Sequence, residues 1–545
     1  MKKHYFLIFC AIGALTSCTQ PASQSVAPTT LSTTGNPYMP LWEHIPDGEP
    51  YIFDDPDNPG QKRVYIYGSH DTRITDYCGR ELVVWSASVD TLTKWRYDGE
   101  ILRVGKNGEG KPFGEDDVLF APDVTLKTDE NGVKTYYLYP NDQCGGRNGL
   151  IAKSSRPDGP FEVCNWNKEN PDSASGILQF DPAVFVDDDG KVYGYWGFGT
   201  SHGAELDPTT MATVKQGTKV VEKMIGGFKD DDENEFRFFE ASSIRKIKDK
   251  YVFIYSRFTK EGEFGLPTTN YTLAYAYGDN PLGPFTYGGT IIDGRGREND
   301  IDGNVFASAN VSGNTHGSIC EINGQWYVFY HRQNGLNEFS RQAMVAPITV
   351  EVQEGKGGKV SISEAEYTSE GFSINGLDPL EIYPAGIACW YTGPKVAEHN
   401  WPNNKFYGSY VAADYGTDSK FSEPYAVKNN INPVVNNTNG SIVGYKYFNF
   451  SGITGKKDIN LLLGLTPQGI DGTIDVYIDR PWQQHGKLVG TLNIKWDMPQ
   501  NSSEIAVKLD AVRELKGKHA LYLVFTSPEK DKSICTLETI RFTAK

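Results

Sequence analysis

The sequence predicts an all-β protein with more than one domain. Aromatic residues make up 12% of the 545 residues, 57 residues are glycine, and long amphipathic helical stretches are scarce. Aromatic side chains favour strands, and glycine favours the turns that join them. A chain of this length is too long for a single hydrophobic core, so we expect at least two domains.

The N-terminus has the features of a bacterial export signal. A basic start, residues 1–4, precedes an apolar run over residues 5–15. The run is too short to span a bilayer, which takes about 20 residues, and is typical of a signal peptide. It ends in LTSC, which resembles a lipobox with Cys18 as the lipidated residue; an ordinary signal peptide containing a chance cysteine is the alternative. We expect a lipoprotein, anchored to a membrane by its lipid, in the periplasm or on the outer surface of a bacterium.

The net charge argues against a nucleic-acid partner, and the cysteine spacing argues against a zinc site. The net charge of −16 argues against nucleic acid, because binding to phosphate needs a basic face. The cysteines outside the export segment are scattered, with no zinc-ligand spacing, and their pairing cannot be read from the sequence. We expect a monomer.

Five segments repeat one pattern: a leading residue, a small residue or proline, a short apolar strand, a turn, and an aromatic-rich strand. The leading residues, roughly 60 to 75 positions apart, are Glu49, Ala121, Asp181, Glu240 and His316. Regular β units of this size predict a five-bladed β-propeller in which each first strand lines the central channel. Three carboxylates and one histidine would then meet at one mouth of the channel. One acidic residue before a strand is common in turns, but three in one register favour a functional site.

Three motifs resemble signatures of glycoside hydrolase family 43. They are FAPD at 120–123, DPAVF at 181–185 and FEA at 239–241. The resemblance implies a five-bladed propeller, three channel-lining carboxylates and an inverting mechanism. It also implies that Glu240 is the general acid and that Asp181 tunes the pKa of a partner and orients it. The second blade, by the same resemblance, shapes the pocket without supplying one of the three carboxylates.

The general base is the residue for which the sequence leaves a choice. In this family it is usually an aspartate followed by proline, whereas this chain has Asp47-Gly48-Glu49-Pro50. The register with Asp181 predicts Glu49 as the base, one methylene longer than usual. Asp47 is the rival, because residues two apart on a strand point to the same face.

The resemblance implies further residues around the pocket. His316 would lie near a channel metal, usually calcium, although calcium itself prefers oxygen ligands. Arg332 would contact substrate, with a rim salt bridge as its alternative role. His70, Asp71 and Asp123 are expected to reach the pocket. No cofactor is required for the chemistry, and a structural calcium in the channel is expected.

Hydrolysis with inversion explains why such groups are needed. An acid protonates the leaving oxygen while a base, about 6.5–9.5 Å away, activates water on the opposite face of the sugar. One carboxyl must be protonated while the other is ionised. A third negative charge beside the acid raises its pKa, because like charges disfavour ionisation.

The last third of the chain predicts a second β domain. Strand-like segments such as Val476-Tyr477-Ile478-Asp479 alternate as in a β-sandwich and resemble family 6 carbohydrate-binding modules. A sandwich that only braces the propeller is the alternative. The expected divisions are a lipoprotein signal peptide (1–17), a Ser/Thr/Pro-rich tether (18–35), the propeller (36–376), a connector (377–395) and the sandwich (396–545).

These features together predict the function. We expect an inverting, exo-acting glycoside hydrolase that acts on side chains of plant-type polysaccharides or oligosaccharides, as an α-L-arabinofuranosidase or a β-xylosidase. A β-galactosidase or β-galactofuranosidase of the same fold is an alternative. A non-catalytic glycan-binding lipoprotein is another, although it would be expected to lack one of the carboxylates.

Overall fold

A computed structural model describes residues 30–33, 35–73, 75–104, 113, 117–143, 147–170, 172–231, 233–310, 313–413 and 432–545. Cys18 and the predicted signal peptide lie outside these residues. Within them the chain is all-β, which confirms the predicted class. Helix in this part is limited to four short 3-10 turns, Glu263–Gly265, Ala385–Ile387, Phe450–Gly452 and Asp510–Val512. None of its helices is long and apolar enough to cross a membrane.

The described residues between 30 and 362 form five antiparallel sheets and two small hairpins. The first sheet contains β1 (Thr30–Ser32), β2 (Glu49–Asp54), β3 (Lys62–Tyr67), β4 (Glu81–Ser88) and β5 (Lys94–Arg103). The second contains β6 (Asp123–Thr128), β7 (Lys134–Tyr139), β8 (Ala152–Ser154) and β9 (Glu162–Val163). The third contains β10 (Ala183–Val186), β11 (Val192–Trp196) and β12 (His202–Leu206).

The fourth sheet contains β13 (Phe238–Ile247), β14 (Lys250–Phe258), β15 (Tyr271–Gly278) and β16 (Thr286–Ile292). A hairpin of β17 (Arg297–Asn299) and β18 (Val305–Ala307) follows. The fifth sheet contains β19 (Ser318–Ile322), β20 (Gln325–Gln333) and β21 (Arg341–Ile348). The second hairpin is β22 (Val350–Val352) with β23 (Val360–Ile362).

One strand from each of the five sheets, the first strand of its repeated segment, lies at a common centre; these first strands are β2, β6, β10, β13 and β19. Strand β6 contacts β10, β10 contacts β13, β13 contacts β19, and β19 contacts β2. The circuit is completed where the Tyr51 hydroxyl on β2 donates to Asp123 on β6 at 2.6 Å. Each sheet runs outward from its first strand through successive antiparallel neighbours, with β1 added at the outer edge of the first sheet, so residues that open the first strands lie at one end of this centre.

The described residues of the C-terminal region form thirteen further strands. They are β24 (Tyr383–Pro384), β25 (Trp390–Thr392), β26 (Glu398–Asn400), β27 (Asn403–Lys405), β28 (Tyr410–Val411), β29 (Val434–Val435), β30 (Ile442–Asn449), β31 (Asn460–Pro467), β32 (Gly472–Ile478), β33 (Lys487–Ile494), β34 (Ser503–Lys508), β35 (Lys518–Thr526) and β36 (Cys535–Thr543). One sheet has the order β28-β29-β36-β31-β34, with β24 paired to β36, and the other has the order β25-β30-β35-β32-β33. Alternate residues such as Leu461, Leu463 and Leu465 are buried between the sheets, which share one apolar core.

That apolar core continues into the fourth and fifth sheets. It contains Ile254 and Met344 together with Tyr383 and Ile387 from the C-terminal region. Burial of apolar area contributes roughly 25 cal/mol per Å², so a continuous core ties the two regions together. The five cysteines in the part of the chain described here are unpaired thiols: Cys78, Cys164, Cys320, Cys389 and Cys535.

Candidate active site

Three carboxylates lie where first strands begin, and their backbone is bent to place them there. Asp47 and Asp181 each precede the first residue of a first strand by two positions, and Glu240 lies near the start of β13. The φ angles of Asp47, Asp181 and Ala241 are 60°, 45° and 67°. Residues with a Cβ rarely adopt this left-handed conformation, which costs about 1–3 kcal/mol and clusters at functional sites.

The strand boundaries correct the register expected for Glu49. Because β2 begins at Glu49 and β10 begins at Ala183, Asp181 corresponds to Asp47 and not to Glu49. Both acidic residues point to the same face, as expected for positions two apart. Asp47 therefore lies at the mouth with the other carboxylates, and Glu49 lies one layer deeper.

Asp47 is buried among cationic and hydrogen-bonding groups. Arg341 Nη1 lies 3.1 Å from its Oδ1, and the Ser69 hydroxyl donates to its Oδ2 at 2.6 Å. Its backbone N–H donates to His331 Nδ1 at 3.2 Å. Burial raises the pKa of Asp47, but Arg341, His331 and His316 together with the Ser69 hydrogen bond bring that pKa below its ordinary value. Asp47 is thus ionised at neutral pH.

Asp181 is hydrogen-bonded to the backbone next to Glu240. The Asn141 amide donates to Asp181 Oδ1 at 3.0 Å, and the Ala241 N–H donates to Oδ2 at 3.1 Å. His316 Nδ1 lies 3.8 Å from the same Oδ2. Burial, and then the negative charges of Glu240 and Asp47, raise the pKa of Asp181 well above its ordinary value. The second sheet therefore contributes Asn141, which sequence reasoning missed.

Glu240 has the electrostatics of a proton donor. Burial, and then the charge of Asp47, raise its pKa to about 8 against the opposing effect of Arg341. Glu240 and Asp181 repel each other, but the two N–H donors on Asp181 favour its ionised form. The proton of the pair is therefore held by Glu240. One buried cluster thus contains an ionised carboxylate and a protonated one.

Arg341, which sequence reasoning missed, links Asp47 to Asp71. Its Nε and Nη2 donate to the two oxygens of Asp71 at 2.9 and 2.8 Å. Asp71 also accepts from the Cys78 N–H at 3.0 Å and is fully buried. The expectation that Asp71 reaches substrate is therefore corrected: its side chain holds the arginine that faces Asp47.

Glu49 and Asp123 form a second layer below the mouth. Glu49 Oε2 accepts from Arg245 Nη2 at 2.8 Å, and the Arg245 guanidinium lies 4.7 Å from the Tyr51 ring. Asp123 accepts from Tyr51 and, at 2.7 Å, from the Val184 N–H. Burial, and then the charge of Glu49, raise the pKa of Asp123 to about 7. These bonds join neighbouring first strands, so the expected pocket contact of Asp123 is corrected to a structural one.

His70 and Arg332 also have structural partners. His70 lies 3.0 Å from Glu43 and 3.3 Å from Glu81; burial lowers its pKa, but these carboxylates outweigh burial and raise it to about 10. Arg332 is fully buried (0% exposed), and its Nη1 donates to Ala388 O at 2.9 Å. Both expected substrate contacts are corrected, because neither side chain is open to a ligand. Arg332 instead joins the fifth sheet to the C-terminal region.

His316 was expected to lie near a calcium ion. Its Nδ1 lies 3.9 Å from Asp47 and 3.8 Å from Asp181. Burial lowers the pKa of His316, so the ring is neutral at neutral pH. The described residues contain no group of three or more His, Cys, Asp or Glu side chains arranged to hold a metal. Calcium takes six to eight oxygen ligands, so the side chains described here do not form a calcium site by themselves, and the chemistry below does not use one.

A strip of aromatic rings borders the mouth beside Glu240. The strip consists of Phe180, Phe198, Phe239 and Tyr271. The ring centroid of Phe198 lies 4.9 Å from that of Phe180 and 4.9 Å from that of Phe239. The centroids of Phe239 and Tyr271 are 4.7 Å apart. Phe198 is 53% exposed. Phe180 and Phe239 immediately precede Asp181 and Glu240, which is the signal that sequence reasoning overlooked. Exposed rings of this kind suit the apolar faces of sugars.

Several known proteins are similar in sequence to this chain. The profile of glycosyl hydrolases family 43 matches residues 53–354. A xylosidase/arabinosidase of Thermoclostridium stercorarium is 34% identical over 92% of this chain and 98% of its own. An arabinoxylan arabinofuranohydrolase of Paenibacillus polymyxa is 26% identical over 89% of this chain and 71% of its own. A β-xylosidase of Xylanibacter ruminicola is 29% identical over 52% and 87%. This chain belongs to glycosyl hydrolases family 43 and is a glycoside hydrolase.

Proposed function

We propose that this enzyme releases terminal α-L-arabinofuranosyl or β-xylosyl groups from plant-type polysaccharides or oligosaccharides, with inversion at the anomeric carbon. These two sugars are supported by the similar proteins, which are a xylosidase/arabinosidase, an arabinoxylan arabinofuranohydrolase and a β-xylosidase. The observation that carries the mechanism is the pair of carboxyls with opposite pKa shifts. Asp47 has a lowered pKa and Glu240 a raised one in the same buried cluster.

In the proposed reaction Glu240 is the general acid and Asp47 is the general base. Glu240 gives its proton to the glycosidic oxygen as the bond to the anomeric carbon breaks. Asp47 removes a proton from a water molecule that attacks the same carbon from the opposite face. Asp181 orients the backbone after Glu240 and, through its negative charge, keeps the acid protonated.

We assign the base to Asp47 rather than Glu49 because of their partners. Glu49 is neutralised by Arg245 in the second layer. Asp47 shares its surroundings with Asp181, since both lie within 4 Å of His316 Nδ1. A base must meet water at the anomeric carbon, and only a carboxylate at the level of the acid can do so.

We infer that the five sheets are the blades of a β-propeller, because their first strands contact one another in a circuit. The two C-terminal sheets with their common core support a β-sandwich. The divisions near residues 376 and 395 remain our proposal, as does sugar binding by the sandwich. A polysaccharide pull-down with the full chain, with the free terminal sugar present to occupy the active site, tests the last point.

Three further proposals concern the surroundings of the enzyme. Lipidation of Cys18 and export are tested by metabolic labelling with a fatty acid, which Cys18→Ser should abolish. A channel calcium is tested by chelation followed by calcium, because a ligand bound to the folded state raises its melting temperature. Monomeric state is tested by sedimentation.

The choice of sugar is tested by hydrolysis of four nitrophenyl glycosides: α-L-arabinofuranoside, β-xyloside, β-galactoside and β-galactofuranoside. We expect kcat/KM to be highest for one of the first two. A preference for a galactoside would reject the sugar assignment but retain the mechanism. Tight binding of glycans with no hydrolysis of any substrate would reject the enzyme assignment.

A further inference from the structure

A β-hairpin from the C-terminal region lies against the rim of the active site. It consists of β26 and β27, residues 398–405. Its backbone contacts the connection between β20 and β21: the Asn404 N–H donates to Leu336 O at 2.7 Å, and the Glu338 N–H donates to Pro402 O at 3.2 Å. The position of the hairpin is therefore set by main-chain bonds to the fifth sheet.

Buried Glu338 connects this hairpin to the proposed base. Its Oε1 lies 2.6 Å from His399 Nε2, and its Oε2 accepts from the Tyr77 hydroxyl at 2.7 Å. The Tyr77 ring lies 5.0 Å from the guanidinium of Arg341, which binds Asp47. A continuous series of side-chain contacts therefore connects the hairpin to Asp47.

Trp401 occupies the tip of the hairpin with its ring largely open. The residue is 64% exposed, and its Nε1 donates to the Tyr77 hydroxyl at 3.4 Å. Burial in a core would normally explain a tryptophan, but this one is mostly in solvent. A ring that is held at its polar edge and open on its apolar surface is suited to stacking against a sugar.

The hairpin lies at the open rim, outside the buried carboxylates. Asp47 is 4% exposed and Glu240 is 9% exposed, whereas Trp401 is 64% exposed. The anomeric carbon must lie between Asp47 and Glu240 for the reaction to occur, so the terminal sugar occupies the interior of the pocket. Because the rest of the substrate extends out through the mouth, a side chain at the rim faces the leaving-group sugar.

We propose that the 398–405 hairpin forms the leaving-group wall of the active site and that Trp401 stacks on the sugar ring that departs. The inference rests on the proposed glycosidase function. It makes the C-terminal region a part of the active site, one that favours sugar leaving groups over small ones.

The test compares Trp401→Ala with Trp496→Ala in the full chain. Trp496 is a matched control because it is 67% exposed and lies in the C-terminal region without a described contact to the active-site residues. The readouts are kcat/KM for arabinofuranosyl-substituted xylotriose and for xylotriose, kcat/KM for the methyl glycoside of the same terminal sugar, and inhibition by the free monosaccharide.

We expect Trp401→Ala to lose about tenfold or more in kcat/KM on the better oligosaccharide, as for one lost apolar contact. Its activity on the methyl glycoside and its inhibition by the monosaccharide should match the wild type. Trp401→Phe should recover most of the loss, and Trp496→Ala should lose nothing.

Equal losses on both kinds of substrate, or no loss on either, would overturn the inference. If the wild type is active and Trp401→Ala has the same kcat/KM on every substrate, only the leaving-group wall is rejected. If the wild type itself hydrolyses neither kind of substrate, the proposed function fails instead.

Discussion

The assignment of the base to Asp47 predicts opposite defects for two acidic residues two positions apart. Asp47→Asn removes the proton acceptor, so kcat should fall by about 10²–10⁴-fold, the usual contribution of general base catalysis. The loss should be similar for good and poor leaving groups, because water must be activated in every case. Folding should be retained, since Arg341 keeps its bidentate pair with Asp71.

Glu49→Gln should impair stability instead of chemistry. The change leaves the guanidinium of Arg245, whose side chain is 15% exposed, without the buried carboxylate to which it donates. Breaking a buried ion pair in this way destabilises a protein by roughly 3–5 kcal/mol. At a temperature where the variant is folded, its kcat should remain close to that of the wild type.

The assay measures kcat on an activated and an unactivated glycoside, with urea unfolding of each variant. Azide adds a sharper control, because it needs no base to remove a proton. It should restore the rate of Asp47→Ala and give a glycosyl azide of inverted configuration. A folded Glu49→Gln that is inactive, beside an active Asp47→Asn, would refute the reasoning and make Glu49 the base.

Three other predictions follow from the same site and its support. Glu240→Gln should lose about 10²–10⁴-fold on a glycoside with a poor leaving group and much less on a dinitrophenyl glycoside, since only the former needs a proton; a uniform loss would contradict the acid role. Asp181→Asn removes a negative charge beside Glu240, so the pKa of Glu240 should fall from about 8 and the alkaline limb of the kcat/KM profile should move to lower pH; an upward move would contradict the assignment. A chain that ends after Phe372 should aggregate, because it exposes the apolar core shared with the C-terminal region; a soluble, active truncation would restrict that region to targeting.

Much of the fold and part of the site can be predicted from the sequence because both follow from local repetition. Asp181, Glu240 and His316 stand at the start of first strands, and their spacing marks a repeated β unit. The base is harder to predict because Asp47 and Glu49 share a face and differ only in depth. Depth depends on where β2 begins, and the proline after Glu49 suggested the wrong starting point.

Residues that act across long sequence separations could not be predicted. Arg341, at the start of β21, contacts Asp47 and Asp71, which lie 294 and 270 positions earlier in the sequence. No local motif marks this arginine. Arg332, nine positions earlier on the neighbouring strand, points into the contact with the C-terminal region instead. Trp401 reaches the rim only because β27 pairs with the connection before β21.

The anomeric configuration of the first product tests the central claim most directly. Proton NMR recorded during the first turnovers, before mutarotation, shows which anomer is released from a substrate of known configuration. A base at Asp47 that activates water opposite an acid at Glu240 predicts the inverted anomer. A product that retains the configuration of the substrate would require a covalent intermediate and would contradict the mechanism.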